Sequence, residues 1–142
     1  QGLERFFEEA DLIKCSDEDL SYLYPHWSEN ESNLFFEKYS PQLFVYTRGA
    51  AGLRGFTSLG VSVEVDATLP GLLVDVVGAG DSVHGALLSE IDRLGLMGQQ
   101  LAHLDVSRLK GILTLASRVA GINCTRVGCQ PPNRQEVSEF FG

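Results

Sequence analysis

Val74-Asp75-Val76-Val77-Gly78-Ala79-Gly80-Asp81-Ser82-Val83-His84-Gly85 is the stretch on which the reading of this chain turns. The apolar run 72–77 suits a strand, and the residues from Ser82 to about Leu94 carry apolar side chains at helical spacing. Between them lies Gly78-Ala79-Gly80-Asp81, so the unit reads as strand, glycine turn and helix. Glycines on either side of a small Ala leave nothing bulky in front of the first free N–H groups of the helix. Such a turn forms an anion hole, because the partial positive charge of the helix N-terminus adds to the exposed amides.

Asp81 falls in the first turn of that helix. A carboxylate beside a bound phosphate is electrostatically unfavourable unless it has a task. Accepting the proton of an attacking hydroxyl is such a task, while the amides of Gly78, Ala79 and Gly80 take up charge developing on a transferred phosphoryl group. The residues alone leave a plainer reading open, in which Asp81 only caps a helix and the glycines only make a tight connection. Two other phosphate motifs are excluded. The dinucleotide fingerprint needs Gly where Val83 stands, and the P-loop needs a Gly-Lys-Ser/Thr run that is absent.

Working outward, Leu3, Phe6, Phe7 and Ala10 have the spacing of a helix tail, and 12–15 suits a buried strand. Ser16 followed by Asp19 predicts a capped helix reaching Leu23, ended by Pro25. A helix over 31–39, a strand over 43–47, a turn at Arg48-Gly49-Ala50-Ala51-Gly52 and a hairpin of 53–57 with 61–65 follow. A long helix over 105–122 and a short last helix opened by Asn133 with Glu136 complete the chain, with no linker and no internal domain boundary. Strands in the first half and long helices in the second predict a layered α/β unit.

The bulk properties narrow the class of function. The 142 residues are 44% hydrophobic and 21% charged, ordinary values for a globular domain. A net charge of −8 repels polyanions, which argues against a nucleic-acid partner. No apolar run is long enough to span a bilayer. Cys15, Cys124 and Cys129 match neither a zinc site nor a disulfide framework and read as free, buried thiols in a reducing cytoplasm. The chain opens without Met on an apolar helical stripe, which reads as the C-terminal part of a longer protein, and Phe6, Phe7 and Phe35 are expected to be exposed where a partner surface is missing. His84 and the arginines Arg48 and Arg126 are open to either a phosphate contact or a solvated surface role.

The run 74–85 closely resembles the C-terminal signature of the ribokinase/PfkB carbohydrate kinases, D-T-x-G-A-G-D-x-F-x-G. The resemblance covers essentially the whole chain. Ser16 and Asp19 stand in the Asn and Glu places of the family's N-x-x-E motif, and Tyr46-Thr47-Arg48-Gly49-Ala50-Ala51-Gly52 is similar to its T-x-G-x-x-G turn. Asn123-Cys124-Thr125-Arg126-Val127-Gly128 resembles its late adenine-bordering segment. The resemblance implies a ribokinase-like α/β sandwich, of which 1–142 is the C-terminal nucleotide-binding part of one domain. It implies ATP, Mg2+ and a monovalent cation such as K+ as cofactors, a sugar as small-molecule partner, and admits a homodimer. It also implies roles: Asp81 as catalytic base with Gly78, Ala79 and Gly80 as anion hole, and Thr47, Gly49, Gly52 and Asn123 against the nucleotide. Ser16 and Asp19 would organise magnesium, and Asp75 and Val77 would border the monovalent cation.

The sequence departs from the pattern at Val76 for Thr, Val83 for Phe, and Ser16 and Asp19 for Asn and Glu. The wording around 16–19 and 47–50 points toward fructokinase-like members. The alternatives are a non-catalytic PfkB-like nucleotide-binding or regulatory protein and a nucleoside kinase of the same fold.

Overall fold

Three runs in the first half, 12–16, 43–47 and 53–57, are rich in β-branched, aromatic and leucine side chains and are bounded by turn or cap residues, the composition of strands buried on both faces. A computed structural model describes residues 2–26, 28 and 32–142. In it these runs form β1 (Leu12–Ser16), β2 (Leu43–Thr47) and β3 (Leu53–Thr57), and Ser62–Val65 adds β4. The sheet has the order β1-β2-β3-β4; β1 and β2 are parallel, and the other neighbours are antiparallel.

Helices cover both faces, because successive strand side chains point to opposite sides. On one side Leu43, Val45, Leu53, Val63 and Val65 pack against α4 (Ala79–Arg93) and α5 (Val106–Cys124) through Val83, Leu87, Leu109, Ile112 and Leu113. On the other, Ile13, Cys15, Phe44, Tyr46 and Phe56 meet α2 (Asp17–Leu23) and α3 (Ser32–Tyr39) through Leu20, Phe35 and Tyr39. α1 (Gly2–Glu9) contributes Phe7, whose ring lies edge-on to Phe35 at 5.7 Å and to Tyr39 at 5.1 Å. A last helix, α6 (Arg134–Phe141), is tied to α4 and to the end of α5 by Arg134–Glu90 and Arg126–Glu136 ion pairs. The expected α/β sandwich is therefore present.

The cap at Ser16 is a full capping box: Ser16 Oγ accepts from the Asp19 amide at 3.0 Å, and the Asp19 carboxylate accepts from the Ser16 amide at 2.9 Å. The same pair of bonds at Asn133 and Glu136 opens α6. Residue 31, where the sequence places the start of a helix, lies outside the described residues.

Four expectations are corrected. The run 72–77 is not a strand: the amides of Val74 and Asp75 donate to Cys124 O at the end of α5, so they join no sheet. It belongs to a stretch, 66–77, with no regular secondary structure. That stretch is fastened along α5 where Ser117 Oγ accepts from the Thr68 amide and donates to Asp66 O. The helix after the glycines begins at Ala79, three residues before Ser82, because Gly78 itself supplies the cap. Phe35 is buried, stacked on Phe44 at 4.5 Å, while Phe6 is exposed as expected. Of the cysteines only Cys15 is buried; Cys124 is half-buried and Cys129 exposed, since the loop after α5 runs over the surface.

Candidate phosphate-binding site

Gly78 adopts φ 75° and ψ 6°, the left-handed conformation that turns the chain into α4. The Ala79 amide donates to Val76 O and the Ser82 amide to Gly78 O. The amides of Gly80 and Asp81 face outward from the first turn, as helix geometry requires. Asp81 sits in that turn, exposed, and its carboxylate makes no hydrogen bond or ion pair among the described residues. Together with Cys129, Ser82, Gly85 and Leu115 it lines a cavity of about 300 Å³ between α4, α5 and α6.

The turn is held from behind by a buried asparagine. Asn123 is fully buried at the end of α5; its Nδ2 donates to Val77 O at 2.9 Å, and its Oδ1 accepts from the Gln130 amide at 2.7 Å. Asp75 completes the clasp by accepting from the amides of Val77 at 3.0 Å and Gly128 at 2.8 Å. Those two bonds stabilise the charged carboxylate and hold its pKa below the ordinary range. Asp75, Val77, Asn123 and Gly128 are thus brought into one cluster. There they satisfy one another: the carboxylate of Asp75 and the carbonyl of Val77 are already taken by N–H donors.

The carboxyl ends of the parallel strands β1 and β2 are the usual ligand edge of an open α/β sheet. Ser16 and Thr47 are paired in register there. Beyond Thr47, a single 3₁₀ turn (Gly49–Ala51) is closed by the Arg48 amide donating to Gly52 O at 2.9 Å, with Gly52 buried against the end of β4 and Gly49 in the open. The two arginines that sequence left open are tied down within the chain. Arg48 Nη2 donates to Glu64 at 2.6 Å and to Ala51 O, and Arg126 Nη2 donates to Glu136 at 2.6 Å. His84 is exposed on α4.

The residues implied for magnesium do not form a ready metal cage. Ser16 and Asp19 spend their side chains on the capping box, which lowers the Asp19 pKa through the Ser16 amide. Among the described residues no three His, Cys, Asp or Glu side chains gather as metal ligands.

Sequence reasoning missed Lys14. It sits mid-strand on β1, on the face toward α4, and a Cβ placed on Gly80 would stand 3.1 Å from its Nζ. The signal was available: a single lysine inside an otherwise apolar strand flanked by the buried Ile13 and Cys15.

A sheet with helices on both faces, carrying a left-handed glycine turn at the mouth of a helix, is a layered α/β protein of the ribokinase-like class. The ribokinase from Giardia lamblia superposes with a TM-score of 0.81 at 23% identity, over 96% of this chain and 46% of that one. A double mutant of the fructokinase from Vibrio cholerae O395, in its fructose-, ADP- and potassium-bound form, gives 0.78 at 24% identity, over 97% and 43%. At these identities the likeness establishes the fold. The chain belongs to the pfkB family of carbohydrate kinases, whose profile matches residues 1–136. Among relatives, probable fructokinase-4 of Arabidopsis thaliana is 36% identical over 144 aligned positions, covering 95% of this chain and 40% of the relative. The chain therefore spans well under half the length of that relative.

Proposed function

We propose that residues 1–142 are the C-terminal, nucleotide-binding part of one carbohydrate-kinase domain that transfers the γ-phosphoryl group of ATP to a hydroxyl of a sugar, fructose or a close relative. The observation that carries this reading is the opening of α4: a left-handed Gly78, outward-facing amides, and an unpartnered Asp81 carboxylate in the same first turn. Membership of the family and the identity with a fructokinase support the reaction class and the choice of sugar.

In this reading Asp81 accepts the proton of the sugar hydroxyl as its oxygen attacks the γ-phosphorus, the bond to the β-bridging oxygen breaks, and ADP leaves. The free amides of the Gly78-Ala79-Gly80 turn take up charge developing on the phosphoryl oxygens, that of Ala79 once it leaves Val76 O. Thr47, Gly49, Gly52 and Asn123 border or support the nucleotide. ATP is the phosphoryl donor; a divalent ion would screen its phosphates, and Ser16 and Asp19 would have to leave their mutual hydrogen bonds to organise it. Asp75 and Val77 would border a monovalent cation through the loop they share with Asn123 and Gly128. The three free cysteines support a cytoplasmic setting, and the net charge of −8 argues against a nucleic-acid partner.

The locked Ser16–Asp19 pair favours a second reading, a family member that binds nucleotide without turnover. The test is ATP-dependent phosphorylation of a panel of sugars and nucleosides by the complete reading frame containing this chain, beside Asp81→Asn. Loss of a general base lowers kcat by about 10²–10⁴ with nucleotide affinity retained. A folded protein that binds ATP and phosphorylates nothing on the panel establishes the second reading instead.

A further inference from the structure

The three cysteines differ in what surrounds them. Cys15 is 4% exposed, and burial pushes its thiol up to about 11. Cys124 is half-buried, and its thiol is raised by that burial and then by the nearby charge of Asp75. Cys129 is exposed, and its Sγ stands against Gly78, the residue that opens α4. Thiol–disulfide exchange proceeds through the thiolate, and the positive end of a helix favours an anion beside it.

One side of Cys129 is closed, because Sγ fills the place where Gly78 would carry a Cβ. A group joined to Sγ has to extend the other way, into the cavity of about 300 Å³ between α4, α5 and α6 that Cys129 helps to line. Two polar groups of that cavity are unengaged among the described residues. Ser82, also in the lining, is 4% exposed, and its Oγ has no hydrogen-bond partner. A buried hydroxyl left in that state is unfavourable until a ligand engages it. The carboxylate of Asp81 has no ion pair, whereas the guanidinium of Arg134, the one basic group in the lining, is held by Glu90. Leu115, Val119 and Val137 make the rest of the wall apolar. The cavity therefore offers a negative charge and a free hydroxyl to a small cation with a short apolar body.

We propose that Cys129 is a thiolation site for small disulfides of the aminothiol class, of which cystamine is the simplest, with the ammonium of the attached half lying in the cavity against Asp81 and Ser82. The Cys129 thiolate attacks one sulfur of the disulfide, and the S–S bond breaks. One aminothiol stays on Sγ as a mixed disulfide, and the other leaves as a free thiol with the proton that Cys129 gave up. Cys129 is oxidised as the small disulfide is reduced, so no further oxidant enters, and excess thiol reverses the step. The attached group fills the space beside Asp81 and neutralises its carboxylate. By the kinase reading above, on which this consequence rests, thiolated protein cannot accept the sugar proton at Asp81, and phosphoryl transfer stops.

The experiment treats the complete reading frame with cystamine or with the neutral hydroxyethyl disulfide and follows the added mass, peptide by peptide, in wild type, Cys129→Ser and Asp81→Asn. Of Cys15, Cys124 and Cys129, the last is modified first. Cystamine reacts with it about three- to tenfold faster in wild type than in Asp81→Asn, while hydroxyethyl disulfide reacts with both alike. Phosphoryl transfer by wild type falls as the cystamine label builds up and returns with dithiothreitol, and Cys129→Ser keeps its activity throughout. First modification at Cys15 or Cys124, or equal cystamine rates in wild type and Asp81→Asn, overturns the site. Thiolated Cys129 with undiminished phosphoryl transfer overturns its control of the reaction. Protein that phosphorylates nothing before cystamine is added removes the kinase reading alone, and the labelling rates still decide the site.

Discussion

Cys129 Sγ lies against Gly78 on the side where any other residue would carry its Cβ, so the opening of α4 packs on the loop after α5 through two small residues. The left-handed backbone of Gly78 and the absence of a side chain are separate requirements, and each is testable.

Gly78→Ala incurs about 1–2 kcal/mol for the left-handed conformation alone, and more from the collision with Cys129, whose Cβ would stand 2.6 Å from the new methyl group. Removing the neighbour's side chain in Cys129→Gly relieves most of the collision, leaving only its Cα at 3.2 Å, and leaves the backbone cost. Chemical denaturation of the two single variants and the double variant is therefore expected to show strong non-additivity. Strict additivity would mean that the loop moves freely away from the turn.

Asn123→Ala removes both bonds by which α5 holds Val77 and Gln130. A loss of about 1–3 kcal/mol in unfolding free energy is expected. The Gln130 amide, freed from its acceptor, should exchange with solvent much faster than the amides of α5. Unchanged protection at Gln130 would show that the loop is held by other contacts.

Asp75 sets a pH dependence with a definite sign. Its folded pKa lies below the ordinary value of 3.8 because two amides donate to the carboxylate, so its contribution is complete above that value and is lost as pH falls through the lowered one. Wild type should exceed Asp75→Asn in stability at neutral pH, and the gap should close below about pH 4. A gap that stays constant down to strongly acidic pH would show that the carboxylate charge is not what the two amides recognise.

Two glycines of α5 should respond in opposite directions to alanine. A Cβ on Gly121 would collide with Thr68 O, where the 66–77 stretch crosses the helix, whereas one on Gly111 meets nothing within 4 Å. Gly111→Ala is expected to raise stability by about 0.5–1 kcal/mol through helix propensity. Gly121→Ala should lower it by roughly 1–3 kcal/mol and loosen the stretch that leads into Gly78. Thermal unfolding of both variants decides the matter.

Local chemistry alone determined a good part of this protein. The capping boxes at Ser16 and Asn133, the hairpin after Gly52, the long helices and the first-turn position of Asp81 follow from bonds between residues a few positions apart, which short sequence patterns encode. What depended on distant partners was decided only by the tertiary structure. The apolar run 72–77 has the composition of a strand, yet its amides found the end of α5 before any sheet neighbour. Gly78 is fixed by a cysteine 51 positions later, and Asn123 reaches back 46 positions to Val77. Lys14 looked like one more residue of a buried strand until the sheet and α4 were packed together, which set its ammonium against Gly80. A side chain's direction follows from its strand, but what it meets is set by another part of the chain, and only close packing brings the two within reach.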